Sequence, residues 1–471
     1  MLPTPENYAI YPSVVPVGKA VKMTILATER AFLPVENAEY ELTVIEIDSY
    51  TDRYKDPVTN RNLSVKAHNG AIEFELVFHS EQEHEILLSK DSTPLASFHL
   101  FALEEDLYNT TPLKADLHSH SFRSDGTRDP SAAAGHYREQ AYDCFALTDH
   151  NRFYPGDEID ETFTGVDMEF FRIRGEEVHT PPSIVHIVHI GGKSSVAERY
   201  LRDLEGYERE VEEYLSRVPE SVPEVYADRY ARVMWATDKI HEAGGLAIFA
   251  HPFWLPVASR MNNVCSDFSK ILLRSGMFDA YELIGGMTHT GNNLSVALWN
   301  DLRAEGIKIP VVGSSDVHKY EKSIHFPYNF TICFAKERTQ EAFIEAIRQG
   351  NCVAVKARGT EYEREHDCYG NLRYVTYAQF LLRYFFRKME RFCVGEGVAM
   401  RSYAMGEVEK EYVEAQSKQS RLFRARFFGK EPPVYPTKAI LEFEERHRKI
   451  HLNGPITRGS GIISDKVTRQ I

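Results

Sequence analysis

Between Asp116 and His318, nearly every strand-like segment of this chain ends in a side chain able to hold a metal ion, and few folds tolerate that pattern. The segments are KADLHSH, CFALTDH, FFRIRGEEV, SIVHIVHI, LAIFAHP, AYELIGG and IPVVGSSDVH. His118 and His120 close the first, and Asp125 follows shortly after. His150 closes the second and Glu177 the third; His186 lies in the fourth and His251 ends the fifth. Asp316 and His318 end the seventh. Amphipathic stretches such as SAAAGHYREQAY, SVALWNDLRAEG and TQEAFIEAIRQG lie between most of them, an alternation that predicts an α/β architecture. Seven strand-like units with helical crossovers predict a distorted (β/α)7 barrel, whose C-terminal strand ends converge on one face. One connection, Thr180-Pro181-Pro182-Ser183, is too short for a crossover and reads as a hairpin turn.

The spacing within segments has its own logic. Residues i and i+2 of a strand point to the same side, so His118 and His120 can reach one ion, and Asp316 and His318 repeat the arrangement. Glu177 and His186 flank the Pro-Pro turn and can meet across it. His186 and His189 have opposite parity, so only one easily faces the site, and Glu176 competes with Glu177 for the acidic position. Imidazole with carboxylate suits Zn, Mn or Fe, whereas an all-oxygen set suits Mg or Ca. Nine candidate ligands exceed what one tetrahedral ion uses, so two or three divalent ions are expected. Single histidines such as His136, His241 and His447 read as ordinary surface or helix residues, and the same bland reading is preferred for His179, His289 and His325.

The rest of the chain is less specific. Residues 1–110 contain AVKMTILATE, EYELTVIEID, AIEFELVFHS and ASFHLFALEE, with turn-formers Asp56-Pro57 and Asn69-Gly70 between them, and read as a small antiparallel β-sandwich. Its expected role is packing or homo-oligomerisation. The barrel spans 111–355 with a helical insertion at about 198–232, and 356–471 reads as a helical region with a polar end from Ile456. From Lys356 onward 22 Lys/Arg stand against 15 Asp/Glu, a balance of +7 in a chain of net charge −14. Arg383, Arg387, Lys388 and Arg391 lie beside Tyr384, Phe385 and Phe392, and Arg421, Arg424 and Arg426 lie near Phe423 and Phe427. Such a composition can track a polyanion; the blander reading buries the aromatics and pairs the cations with the acidic barrel. No apolar run is long enough to span a membrane, the N-terminus lacks a signal-peptide pattern, and six scattered cysteines suit a reducing cytoplasm.

Taken in order, DLHSHSFRSDG, ALTDHN, GEEV, VHIV, AHP and GSSDVH resemble the PHP (polymerase and histidinol phosphatase) family of metal-dependent phosphoesterases, over roughly residues 112–355. The resemblance implies a distorted seven-stranded barrel and a trinuclear centre. One ion would be held by His118, His120, Glu177 and Asp316. A second would be held by a bridging Glu177 with His186 and His251, and a third by Asp125, His150 and His318. Ser124-Asp125-Gly126 is more similar to the branch that hydrolyses nucleotides or short oligonucleotides than to the histidinol phosphatase branch. The implied reaction is attack of a metal-bridging water on phosphorus, without a covalent protein nucleophile.

The candidate catalytic residues are accordingly Asp125 and His150 in the third metal position, with Arg152 and Lys319 as phosphate-holding cations. Arg123, Asn151 and Lys193 are the other polar residues near the ligand motifs. The expected partner is a phosphorylated small molecule or short nucleic acid. Rival readings are a histidinol-phosphate-type or other small-metabolite phosphatase, and a non-catalytic metal-stabilised scaffold. A polymerase proofreading subunit is disfavoured, because no polymerase-sized region is attached.

Overall fold

In the computed structural model, residues 7–48, 61–256, 260–359 and 364–453 are described. The Asp56-Pro57 turn and the polar end from Ile456 lie outside these residues. Eight strands form the N-terminal part: β1 (Tyr8–Tyr11), β2 (Val14–Pro16), β3 (Ala20–Ala27), β4 (Glu39–Glu46), β5 (Arg61–His68), β6 (Ala71–Val77), β7 (Gln82–Lys90) and β8 (Thr93–Leu103). They hydrogen-bond in the order β1-β3-β6-β5-β4-β7-β8-β2, so the expected sandwich of two sheets is one sheet folded over on itself. β5 makes the corner: Arg61 to Lys66 pair with β4, while only Ala67 and His68 pair with β6. Met23 and Ile25 from one half thereby share a core with Leu42, Val44, Ile86 and Leu88 from the other. Asn69 and Gly70 turn β5 into β6 with φ of 52° and 72°, the left-handed pair that Asn-Gly accommodates best.

The central part departs from a closed (β/α)7 ring. Its strands are β9 (Thr111–Asp116), β10 (Cys144–Ala146), β11 (Phe171–Ile173), β12 (Gly175–Val178), β13 (Ile187–Ile190), β14 (Leu246–Phe249), β15 (Ala280–Ile284), β16 (Val311–Gly313), β17 (Asn329–Ala335), β18 (Cys352–Arg358) and β19 (Glu365–Tyr369). They divide into a six-stranded sheet, β11-β10-β9-β17-β18-β19, and a five-stranded sheet, β12-β13-β14-β15-β16. Two local causes account for the split. The segment FFRIRGEEV is two strands: β11 pairs in parallel with β10, and one residue later β12 pairs antiparallel with β13. On the other side, β17 runs antiparallel beside β9 and takes the edge that a closed ring would give to β16. β16 is held against β17 instead, where Gly313 N donates to Thr331 Oγ1 (3.0 Å) and Thr331 Oγ1 donates back to Gly313 O (2.8 Å). Only glycine fits there, since a Cβ would lie 2.4 Å from the Phe330 carbonyl oxygen. The two sheets still touch at the ligand-bearing end, through parallel bridges His150–Glu177 and Ser119–Val317.

The expected hairpin is present: Glu177 is opposite Val188 in the antiparallel β12–β13 pair, with Ser183 N donating to Thr180 O at the turn. The insertion forms helices Ala197–Arg202, Leu204–Leu215 and Glu224–Glu242, whose Tyr200, Tyr207, Val211 and Trp235 enter the core of the five-stranded sheet.

Beyond residue 355 the chain first completes β18 and adds β19, and then becomes helical: Leu372–Leu381, a π-helical turn Leu382–Phe386, Arg387–Ala404, Lys410–Phe427 and Lys438–Asn453. Phe385 and Phe427 are buried in a core shared with Tyr137, Phe145 and Phe330 of the central part. Three of the tail cations are spent in the same way. Arg421 donates to Glu169 and Asp167, Arg424 is buried against Asp143, and Arg383 pairs with Glu83. The bland reading of these residues is therefore the one their contacts support. Among the described residues, no helix is long and apolar enough to cross a membrane.

Candidate metal centre

The strand ends deliver all nine expected ligands to one place, and Glu177 lies at its middle. It is the third residue of β12, fully buried, and its two carboxylate oxygens look in different directions. Oε1 faces His186 Nδ1 at 2.9 Å, His251 Nε2 at 3.1 Å and His179 Nε2 at 3.3 Å. Oε2 faces His150 Nδ1 at 2.7 Å, His118 Nε2 at 3.4 Å and His120 Nε2 at 3.6 Å. Asp316 Oδ1 lies 3.0 Å from His120 Nε2 and 3.4 Å from His118 Nε2, and its Oδ2 lies 4.0 Å from His251 Nε2. At the exposed rim, Asp125 lies 3.4 Å from His150 Nε2 and 3.3 Å from His318 Nε2.

One carboxylate cannot satisfy six imidazoles by hydrogen bonding. Among the buried polar atoms with no hydrogen-bond partner are His118 Nε2, His120 Nδ1, His150 Nδ1, His179 Nε2, His186 Nδ1 and Glu177 Oε2. Buried polar atoms are normally paired, so orphans gathered in one cluster call for a partner. Two ligands each about 2.0–2.2 Å from a shared tetrahedral or octahedral ion lie about 3.0–3.5 Å apart, which matches most of the separations above. Mutually close donor sets include His120, Asp125, His150 and His318; His118, His120 and Glu177; His118, His251 and Asp316; and Glu177, His186 and His251. The residues present therefore fit divalent transition ions.

Electrostatics point the same way. Burial pushes the Glu177 and Asp316 carboxyls up, but the surrounding imidazoles outweigh it, and both sit well below the usual range. Burial drives His120 and His186 down to about 4, whereas His150, despite burial, is raised to about 10 by Asp125 and Glu177. Buried carboxylates need compensating positive charge, and ions that replace protons on these imidazoles would supply it. Two of the expected ligands also sit in strained backbone, His251 at φ 25° and Asp316 at φ 51°. Non-glycine residues keep such conformations only where their surroundings impose them, characteristically at functional sites.

The alternatives left open by the spacing resolve clearly. Glu176 points away from the cluster, accepting from His189 Nδ1 (3.1 Å), Ser195 Oγ (2.7 Å) and Val196 N (2.6 Å). Glu177 and His186 are thus the pair facing the other donors. Sequence reasoning passed over three contributors. His179, set aside as ambiguous, stacks on His186 with ring centres 3.7 Å apart. Glu282, in a segment without a terminal ligand, faces His118 Nδ1 at 2.9 Å. Asp149 accepts from Ser121 N (2.8 Å), Ser121 Oγ (2.6 Å) and Ser124 Oγ, and so fixes the loop that carries Asp125. The i+2 relation of His179 to Glu177 was a usable signal; nothing local marked Glu282. His289 bonds Asn293 and His325 faces Asn329, and neither belongs to a donor set among the described residues.

The proposed phosphate-holding residues fall into two groups. Arg123 forms a two-pronged pair with Glu158 (2.7 and 2.9 Å) and is committed to it. Asn151 Oδ1 accepts from His179 N, and Lys193 sits beyond Gly192, which abuts His189 on the far side. Arg152 and Lys319 are exposed, each next to a ligand motif, and neither makes an ion pair among the described residues. Arg152 lines an open cleft of about 870 Å³ with His150, Asn151, Tyr154, Glu158, Glu161 and Leu201. Across the site, Trp254 is 36% exposed, with its ring 5.9 Å from those of His186 and His251.

No protein-family model matches the chain, and no curated protein matches it. Solved structures similar to parts of it include a two-domain protein from Bacteroides vulgatus ATCC 8482 containing a predicted PHP-like metal-dependent phosphoesterase (19% identity, TM-score 0.35). That match covers 52% of this chain and 65% of the other, so under two thirds of the Bacteroides protein is spanned. A protein from Bifidobacterium adolescentis ATCC 15703, named as a metal-dependent phosphoesterase, is 16% identical over 43% of this chain and 87% of its own (TM-score 0.32). An amidohydrolase from Chromobacterium violaceum with bound sulfate is 18% identical over 45% and 89% (TM-score 0.31). These likenesses are partial.

Proposed function

We propose that this chain is a metal-dependent phosphoesterase that hydrolyses small phosphate esters, with nucleotides as the substrate class. The observation that carries the reading is Glu177, whose two oxygens each face three imidazoles, several of them buried and otherwise unpartnered. This is the arrangement a bridging carboxylate needs between two ions. Divalent ions bound there would neutralise phosphate oxygens and supply a water of lowered pKa at neutral pH. The imidazole-rich donors favour Zn, Mn or Fe over Mg or Ca.

The protein's own residues would do the rest. His118, His120, Glu177 and His251 form the buried floor, while Asp125 and His318 stand at the open rim, where a phosphate would enter. Arg152 and Lys319 are free to take phosphate oxygens, Arg152 with two prongs. Tyr154, 50% exposed, and Trp254 offer flat apolar surface beside the centre, which suits a planar leaving group such as a base. The cleft volume falls in the range of small-molecule sites. With Arg421 and Arg424 committed to Asp167, Glu169 and Asp143, the reading favours mononucleotides over long polyanions.

The test is metal content with turnover. Purified protein should carry two to three equivalents of Mn, Fe or Zn by elemental analysis and hydrolyse nucleotide phosphoesters. His118→Ala and Asp316→Ala should lose both metal and turnover while keeping the far-ultraviolet circular dichroism of the parent. Absence of any transition metal after reconstitution, or parental turnover in both variants, would overturn the reading.

A further inference from the structure

His179 has no part in the nine-residue set, yet its ring is aimed into it. It follows the last residue of β12, two positions beyond Glu177, so both side chains leave the strand on the same side. Its backbone N–H donates to Asn151 Oδ1 at 2.8 Å, and the Tyr200 hydroxyl donates to the same oxygen. The turn after His150 and the helix Ala197–Arg202 therefore fix where His179 sits. Its ring stacks on His186 (3.7 Å, 25° between planes) and lies 4.6 Å from the ring of His150. Nε2 is buried, has no hydrogen-bond partner, and lies 3.3 Å from Glu177 Oε1. His150, Glu177 and His179 also form a donor set of their own, mutually within 4.8 Å.

The blander account is a histidine packed against another histidine. It leaves Nε2 buried beside a carboxylate without a hydrogen bond, a costly placement for a polar atom. Coordination removes that cost and uses the separation from Glu177 that two ligands of one ion show.

We propose that His179 is a tenth metal ligand, its Nε2 joining Glu177 and His150 in holding one ion. Resting on the metal-centre reading above, this makes that position richer in nitrogen donors than the nine-residue set provides. A second imidazole beside His150 and the Glu177 carboxylate favours Zn or Fe over Mg and Ca.

The experiment uses metal-stripped full-length protein titrated with Zn²⁺ against a chromophoric chelator, with the visible spectrum of the Co²⁺-loaded form as a second readout. His179→Gln keeps the bulk and a polar group; His179→Asp keeps a ligand. His179→Gln should weaken one equivalent by about tenfold or more and change the Co²⁺ spectrum, and His179→Asp should bind more tightly than His179→Gln. Melting curves of both variants separate loss of a ligand from loss of fold. If the parent binds two or more ions and both variants match it in stoichiometry, affinity and spectrum, His179 is not a ligand and the nine-residue centre stands. If His179→Gln alters only KM for substrate, His179 contacts substrate and the proposal fails. A parent that binds no metal overturns the centre itself, and this proposal with it.

Discussion

His118 is held from both sides. Its Nε2 faces Glu177 and Asp316, and its Nδ1 faces Glu282 Oε2 at 2.9 Å, with both residues buried. A carboxylate on the far nitrogen sets which nitrogen is free to bind and raises its basicity, and losing such a partner typically weakens metal affinity by about 10–100-fold. Glu282→Leu should therefore leave the number of bound ions unchanged while loosening one of them by that factor, as read by chelator competition. Unaltered affinity would mean that packing alone orients His118. Burial pushes the His118 imidazole down, but Asp316, Glu177 and Glu282 together carry it well above its ordinary value. Glu282 is thus part of the charge balance of the centre as well as of its geometry.

Among the elements, one contact that joins the C-terminal helices to the rest is the crossing of Pro130–Glu139 with Arg387–Ala404. The helices approach closely because Gly397 lies against Gly135: a Cβ on Gly397 would meet the Gly135 carbonyl oxygen at 2.4 Å. One turn along, Arg138 is fully buried, and donates to Glu396 Oε2 (2.8 Å), Ser420 Oγ (3.0 Å) and Tyr142 O (3.0 Å). Removing one partner of a buried pair leaves an uncompensated charge and costs about 3–5 kcal/mol, whereas replacing both with apolar groups is often close to neutral. Glu396→Ala should lower stability by about that amount in denaturant unfolding, and Arg138→Met with Glu396→Leu should recover most of it. Equal losses in the single and double variants would show that the pair is not what docks these helices.

Across the molecule, a buried ionic network links the central part to the C-terminal helices. Asp143 receives Arg424, Arg338 (3.1 Å) and the backbone N–H of Lys114 (3.0 Å). Burial raises the Asp143 and Glu396 carboxyls, but Arg424, Arg338 and Arg138 outweigh it at Asp143 and Arg138 outweighs it at Glu396, so both sit below their ordinary values. Their pKa values are therefore higher in the unfolded chain, which takes up protons first as the pH falls. The stabilisation is fully present above about pH 5 and is lost as the pH drops through the unfolded values near 4 and on through the lowered folded ones. Thermal melts should show Arg424→Met far below the parent at pH 7, with the gap narrowing below about pH 4. A gap that does not change with pH would place the role of Arg424 in packing alone.

How much of this was legible beforehand differs from residue to residue. His118-x-His120, Glu177, His251 and Asp316-x-His318 could be read from the chain, because strand parity and strand-end placement are local properties and a barrel-like sheet gathers strand ends whatever the details. The Pro181-Pro182 hairpin and the Asn69-Gly70 turn were legible for the same reason: each depends on a few adjacent residues. Ring closure was not. The break at Arg174, the insertion of β17 beside β9 and the corner in β5 depend on which strands compete for an edge, and no short window records that competition. Nor did charge patterning reveal where the tail cations go. In the sequence Arg421 and Arg424 fit either a polyanion track or pairing with the acidic body, and their partners Asp167, Glu169 and Asp143 are set only by the fold. Glu282 and His179 show the same division. Residue type made each chemically competent, but His118 lies 164 positions from Glu282, and folding alone brings their side chains within hydrogen-bonding distance.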